Sequence, residues 1–324
     1  MFEQKARHIA LKLPRSWNQC TTDELETIAA CILRHVAMQD RYHPFDWLTV
    51  KTELFFLLTG LEMVGEADDP VDGDPDERNR AYMVRRNKKE EPFPIYIWQV
   101  QSFVDQHLAW IDDEKQSLII FPYKQLLGVW RWQRHFPFIK KHWLAPGELL
   151  QDFSWREYRH LQDYMEMYVR LQNQMTKMQQ GAIDKDRLAA LARQMLDARN
   201  NFLAVLFKAE RHYPLSTIHY PLSTIHSSLK KVGPVQWQVI LFWWSGFMRY
   251  LQKQFPHCFK SSKKTGKRPS NPLELYTSIV ATMQTQAHLS EEDINNQTFH
   301  IILEQLERLA KQNEEMEKIS KKHR

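Results

Sequence analysis

The sequence predicts a mainly α protein: a multi-helix bundle around a buried central helix, with a small irregular or short β insertion. Three observations carry this prediction. Residues 235–259 are apolar around most of a helical circumference. Thr21 and Ser154 each stand three positions before a Glu, the pattern of a capped helix start. Glycine is scarce, with 9 residues in 324, which argues against a glycine-rich nucleotide fold or a turn-rich sandwich.

The central segment has two apolar stripes and one polar line. Its main stripe recurs at helical spacings of four and three, through Trp237, Leu241, Trp244, Met248, Leu251 and Phe255. The polar line is Gln238, Ser245, Arg249 and Gln252. Gly246 lacks a side chain, so another helix can approach closely there. A membrane span is the alternative, but it needs about 20 mainly apolar residues, and Arg249 interrupts the run too early. We therefore expect a buried helix and no membrane partner.

Residues 1–121 form a predicted N-terminal helical region. Thr21 and Glu24 make a capping box that opens its first helix. Further helices are predicted over 46–61 and 95–111, and an acidic loop over 65–78. Residues 118–123, with the sequence LIIFPY, are the best strand candidate.

Two more regions follow. Residues 122–153 are predicted to be an irregular, basic and aromatic connector, because Pro and Gly punctuate them. Residues 154–324 are predicted to be a C-terminal helical bundle, in which Ser154, Asp184 and Ser290 cap helices over about 154–180, 184–211 and 291–318. All three regions could equally form one continuous domain.

Composition sets loose limits on the partner and the compartment. The net charge of +5 permits an anionic partner without requiring one. Three scattered cysteines are too few for a disulfide framework, and the N-terminus has no apolar signal-peptide core. These features predict a cytoplasmic protein. The oligomeric state stays open.

Two basic stretches are candidate contacts for nucleic acid or another anion. Residues 130–143, WRWQRHFPFIKKHW, interleave aromatic and basic residues, a combination that stacks bases and neutralises phosphates. Residues 260–268 form a basic loop. The candidate contact residues are Arg131, Arg134, Lys140, Lys141, Lys260, Lys263, Lys264, Lys267 and Arg268. The opposing interpretation is a packed aromatic segment and a solvated charged loop.

Two histidine patterns bear on metal binding. Cys31 and His35 are four residues apart on a predicted helix, a spacing that zinc ligands use. No second pair has a matching spacing, and Cys31 lies on the apolar face, so core packing is the preferred interpretation. The heptapeptide HYPLSTI occurs twice in tandem over residues 212–225. A duplication in a tolerant loop explains it. We therefore predict no metal and no cofactor.

No catalytic motif is recognisable. The sequence contains no glycine-rich phosphate loop, Gly-x-Ser-x-Gly elbow, His-Glu-x-x-His or Cys-x-x-Cys pattern. This favours a non-enzymatic protein-interaction or assembly factor. Nucleic-acid binding is the first alternative, and an enzyme without a recognisable motif is the second.

Four patches of sequence carry a family resemblance. They are LPRSWNQCTTDELETIA, FMRYLQKQFPHCF, NPLELYTSIVATMQ and NQTFHIILEQLERL. Together they resemble an uncharacterised family of helical proteins from prophages and related mobile elements of Bacteroides-type bacteria. The resemblance implies a role in phage tail or particle assembly, as a chaperone-like or connector protein with other phage or assembly proteins as partners. The resemblance assigns no functional role to any particular residue of this chain.

Overall fold

The structure, a computed structural model, describes residues 11–39, 44–66, 80–123, 125–133, 136–144, 146–179, 184–207, 229, 232–259, 281, 283–285 and 289–322. Within 125–144 it describes the backbone alone. The helices are α1 (Thr22–Met38), α2 (Trp47–Thr59), α3 (Ile97–His107), α4 (Trp155–Gln179), α5 (Lys185–Leu206), α6 (Pro234–Gln254), α7 (Glu291–Asn296) and α8 (Phe299–Lys322). The strands are β1 (Glu62–Glu66), β2 (Ala81–Arg85), β3 (Phe93–Tyr96), β4 (Gln125–Gln133) and β5 (Phe136–Leu144). The predicted mainly α fold with a short β insertion is confirmed.

The chain divides into two compact units. Unit 1 comprises Met1–Pro122 and Pro234–Phe247, and unit 2 comprises Tyr123–Gly233 and Met248–Arg324. The three sequence regions 1–121, 122–153 and 154–324 stay a prediction.

Local capping explains where the first helices of unit 1 begin. The Thr21 hydroxyl accepts the Glu24 N–H at 3.3 Å, and the Glu24 carboxylate accepts the Thr21 N–H at 2.7 Å. This is the predicted capping box, and it satisfies two donors that the first helical turn leaves free. Asp46 caps α2 in the same way, accepting the N–H groups of Leu48 and Thr49. Helices α1 and α2 pack against each other.

A three-stranded antiparallel sheet in the order β1-β2-β3 follows α2. It changes one helix boundary. The predicted helix over 95–111 begins instead at Ile97, because the preceding residues pair with β2, with Tyr96 opposite Ala81. It ends at His107, and a 3-10 turn covers Ala109–Ile111. Most of the predicted acidic loop over 65–78 lies outside the described residues.

The predicted strand over 118–123 is wrong, since within the described part of the chain this segment joins no sheet and its backbone bends at Ile120 and Pro122. Side chains satisfy its backbone instead. The Asn18 Oδ1 accepts the N–H groups of Ile119 and Ile120 at 2.8 and 3.1 Å. The indole N–H of Trp243 on α6 donates to the Ile119 carbonyl at 3.0 Å. Pro122 offers no N–H for a ladder, so the segment lies on α6 rather than beside a strand.

Helix α6 is buried, as predicted. Its fully or nearly buried side chains are Trp237, Val239, Ile240, Trp243, Trp244, Phe247 and Leu251. The predicted close approach at Gly246 is also present, but it comes from a loop. A Cβ at this position would overlap the backbone of Leu118. In the part of the chain that the structure describes, no helix combines the length and apolar character needed to cross a bilayer.

The structure corrects the prediction for residues 122–153. The predicted irregular connector is largely a two-stranded antiparallel hairpin, β4-β5. Pro122 and Pro146 lie outside the strands. Pro137 lies near the start of β5, and both strands of such a hairpin are edge strands, where a proline is tolerated.

Helices α4 and α5 pack along each other and lie within the predicted helix ranges 154–180 and 184–211. Their capping residues are the predicted ones. Ser154 and Glu157 form a capping box at the start of α4, and the Asp184 carboxylate accepts two first-turn N–H groups of α5.

The predicted helix over 291–318 is broken into α7 and α8. Ser290 caps α7 as predicted, but Gln297 is extended and ends it. The Gln297 carbonyl accepts the Trp155 N–H at 2.7 Å, and the Phe153 carbonyl accepts the Phe299 N–H at 3.1 Å. These long-range backbone bonds replace the helical bonds that an unbroken helix would make at this point.

Leu149 and Leu150 adopt positive φ angles of 51° and 58°. This left-handed conformation costs a leucine roughly 1–2 kcal/mol. Two contacts hold it in place. The Leu150 side chain is completely buried, and the Leu149 carbonyl accepts a hydrogen bond from the His300 Nε2 at 2.9 Å.

Candidate functional site

The predicted basic and aromatic contact residues lie partly on the β4-β5 hairpin. The backbone register places Lys140 opposite Trp130, Lys141 opposite Val129 and Arg131 opposite Ile139. The pairing therefore brings an aromatic and a basic position together across the ladder. Arg134 lies outside the described residues.

The other predicted contact residues belong to the basic loop over 260–268. The basic-loop residues Lys260, Lys263, Lys264, Lys267 and Arg268 lie outside the described residues, as does the HYPLSTI repeat over 212–225.

The structure adds a third residue to the Cys31–His35 pair. These two residues lie one turn apart on α1, and the packing of α2 against α1 brings Glu53 beside them. The Cys31 Sγ, one His35 ring nitrogen and one Glu53 oxygen all lie within 4.8 Å of one another. Among the described residues, no other group of three Cys, His, Asp or Glu side chains converges in this way. We call this group the α1-α2 cluster.

Solvent exposure within the α1-α2 cluster increases from Cys31 in the core to His35 and Glu53 nearer the surface. Cys31 is 1% exposed, whereas His35 and Glu53 are partly exposed. The His35 Nε2 lies 2.7 Å from the Glu53 Oε2, and the Arg34 guanidinium contacts the other carboxylate oxygen. Burial raises the pKa of the Cys31 thiol, and the nearby Arg34 lowers it by a smaller amount. The cluster thus places one soft and two harder potential ligands at the edge of the core.

Sequence reasoning missed Glu53, because nothing in the spacing along the chain links it to Cys31. One local feature could have indicated it. Glu53 is the single acidic residue of α2, in the segment WLTVKTELFFLLT. A lone carboxylate inside so apolar a helix needs a partner, and a histidine on the neighbouring helix is a natural one.

A second cluster has the same residue types but another geometry. His257 and Cys258 follow the end of α6, and Glu307 lies on α8. The Glu307 carboxylate accepts the backbone N–H groups of His257 and Cys258, both at 2.9 Å, and lies 2.6 Å from the His257 Nδ1. Burial raises the pKa of the Cys258 thiol to about 12, and the adjacent Glu307 adds to the rise. We call this group the α6-α8 cluster.

A third feature is the exposed end of α8. The buried residues Phe299 and Ile302 begin a pattern with a seven-residue repeat, which continues through Leu306 and Leu309 to Met316. Leu306 and Leu309 are partly exposed, and Met316 is 69% exposed. The apolar stripe that anchors the start of α8 therefore runs on to a side chain that lies largely in solvent.

Comparisons with protein-family models, with curated proteins and with solved structures found no match to this chain.

Proposed function

We propose that this chain is a non-enzymatic protein-interaction and assembly factor, and that the distal half of α8 binds the partner. The observation that carries the proposal is the exposure of Met316, in a stripe whose first members are buried in the core of unit 2. An amphipathic helix with an uncovered apolar stripe is a common element of protein recognition.

The spacing along α8 is that of a coiled-coil seam. In heptad notation, Phe299 and Leu306 take one core position, and Ile302, Leu309 and Met316 take the other. Asn313 falls at the first of these positions in the third heptad. A polar residue at a single core position specifies register and partner number at some cost in stability. The pattern therefore suits a specific helical partner.

The face of α8 opposite this stripe is charged and solvated. Glu304, Lys311, Glu315 and Lys318 are exposed and alternate in sign along the helix. Such a face keeps a lone helix in solution and contributes little affinity, whereas a central apolar residue that becomes buried contributes most. Met316 is thus the residue on which the contact should depend.

A site-specific photo-crosslinker at position 316 of the full chain, in its native host, tests this proposal. We expect it to crosslink to one distinct protein. Met316→Glu should lower co-purification of that protein about tenfold or more, because a charge buried without a partner costs upwards of about 1–3 kcal/mol.

Ile301 provides the matched control, since it is an exposed apolar residue of the same helix outside the heptad positions. A crosslinker there should remain unreacted, and Ile301→Glu should leave co-purification unchanged. Equal crosslinking at both positions, or none at position 316, would contradict the proposal.

The assembly of a phage tail or particle is the setting that the family resemblance implies. Tail or capsid genes next to the gene for this chain would support it, and a neighbourhood of unrelated metabolic genes would oppose it.

Nucleic-acid binding is the second candidate, and the pairing of Trp130 with Lys140 across the hairpin favours it. Phosphate-dominated binding weakens steeply with salt. Titration of single-stranded DNA and RNA with the protein, at low and at physiological salt, tests this candidate, which fails if neither binds at low salt.

A further inference from the structure

We propose that the α1-α2 cluster is a zinc site, in which the Cys31 Sγ, the His35 Nε2 and a Glu53 carboxylate oxygen bind one Zn²⁺ and water completes the tetrahedron. This inference is independent of the proposed function, because it concerns other residues in the other compact unit.

The geometry suits the ion. Zinc binds sulfur at about 2.3 Å and nitrogen or oxygen at about 2.0–2.2 Å, so tetrahedral ligand atoms lie roughly 3.3–3.8 Å apart. The three candidate atoms already lie within 4.8 Å of one another, and the His35 and Glu53 atoms are 2.7 Å apart. Small side-chain rotations thus form the site, because the spacing of four on α1 and the packing of α2 fix the backbone.

The donor set selects zinc over the common hard cations. Thiolate and imidazole favour zinc and other borderline ions, whereas Mg²⁺ and Ca²⁺ take oxygen ligands. One thiolate and one carboxylate balance the two charges of the ion. On binding, the Cys31 thiol releases its proton to solvent and the sulfur forms the metal bond. The His35 Nε2, which donates to Glu53 in the free chain, also gives up its proton to solvent, so that the imidazole binds the ion as the neutral form protonated on Nδ1.

Arg34 opposes the ion, and its position shows how the site can be occupied. Its guanidinium contacts Glu53, and its side chain is 47% exposed. Zn²⁺ would replace Arg34 as the partner of Glu53, and the arginine can turn into solvent at little cost because exposed ion pairs are worth about 0.2–1 kcal/mol. Arg34 thus weakens the site without blocking it.

The test uses the full chain, stripped with a chelator, dialysed and then titrated with Zn²⁺ or with Co²⁺ as a spectroscopic probe. We expect one ion per chain by elemental analysis, and a cobalt–thiolate charge-transfer band in the near ultraviolet. Cys31→Ser should abolish the band. Glu53→Gln should weaken Zn²⁺ binding by at least about a hundredfold, since even residues behind the ligands change metal affinity 10–100-fold.

Cys258→Ser is the matched control, because Cys258 also lies beside a histidine and a glutamate. It should retain the band and the stoichiometry. Circular dichroism establishes whether each variant is folded. If Cys31→Ser does not fold, His35→Gln, at a partly exposed position, serves as a second variant that lacks one ligand, and it should likewise weaken Zn²⁺ binding. The proposal is overturned if the wild-type chain shows no thiolate band, or if the band survives Cys31→Ser or is lost in Cys258→Ser.

Discussion

The α1-α2 and α6-α8 clusters each contain one cysteine, one histidine and one glutamate, but different groups bind the glutamate. Glu307 accepts two backbone N–H groups, from His257 and Cys258. In contrast, the contacts of Glu53 are with the side chains of Arg34 and His35. The same three residue types thus form two chemically different sites.

The backbone donors make Glu307 part of the fold. His257 and Cys258 lie in the turn that follows α6, where main-chain N–H groups have lost their helical partners. If Glu307 turned to another ligand, those partly buried donors would be left without this acceptor.

Glu53 is not bound in this way, because its partners are side chains that can reorient or become solvated. Removing it leaves no helical N–H group of α2 without its acceptor. A carboxylate held by side chains is therefore available to a ligand, whereas one held by the main chain is structural. This distinction can be tested in three ways.

The largest expected effect is on stability. Glu307→Ala should lower the free energy of unfolding by about 2–4 kcal/mol, because it leaves two partly buried backbone N–H groups and the His257 ring without their charged acceptor. The matched change Glu53→Ala should cost about 1 kcal/mol or less, as expected for partly exposed ion pairs. Urea unfolding of both variants measures the difference. Equal losses would remove the distinction between the clusters.

The second effect is on the pH dependence of stability. Burial alone would raise the pKa of the Glu307 carboxyl, but the hydrogen bonds from His257 and Cys258 outweigh it and hold the pKa below its ordinary value. A lowered folded-state pKa stabilises the protein above the unfolded-state value, which is about 4.3. That contribution is lost as the pH falls through the folded-state pKa.

The free energy of unfolding, measured by urea unfolding at a series of pH values, should therefore fall less between about pH 6 and pH 3 in Glu307→Gln than in the wild type. An equal fall in Glu307→Gln would show that its hydrogen bonds do not favour the ionised form.

The smallest expected effect concerns Arg34. Arg34→Gln removes the competing cation, so Zn²⁺ affinity should rise by up to about fivefold, the equivalent of roughly 1 kcal/mol for an exposed pair. Stability should change by less than about 1 kcal/mol. Competition with a chelator of known affinity measures the change. Weaker binding in this variant would mean that Arg34 supports the site.

Local chemistry was predictable from the sequence, and long-range pairing was not. The caps at Thr21, Ser154, Asp184 and Ser290 depend on residues within three positions, so the sequence shows them directly. The break between α7 and α8 depends on backbone groups near Phe153, far away in the chain. Helical periodicity alone contains no information about that contact.

The candidate metal site was likewise predictable only in its local part. The Cys31–His35 spacing is local to α1 and visible in the sequence, whereas Glu53 joins the pair only through helix packing. Likewise, the segment 118–123 has strand-like composition, but Asn18 and Trp243 supply its hydrogen-bond partners from distant positions. Composition therefore predicted a strand wrongly, because it contains no information about these distant partners.

The strained turn at Leu149 and Leu150 has a consequence for synthesis of the chain. Its hydrogen bond to His300 joins residues 151 positions apart, so it cannot form until α8 has left the ribosome. Until then nothing at His300 offsets the left-handed conformation, and we expect the turn to relax to ordinary angles. Contacts between such distant residues also form slowly, since the intervening chain must first be closed into a loop. The native turn before α4 should thus be among the last parts of unit 2 to mature, although it lies near that unit's beginning.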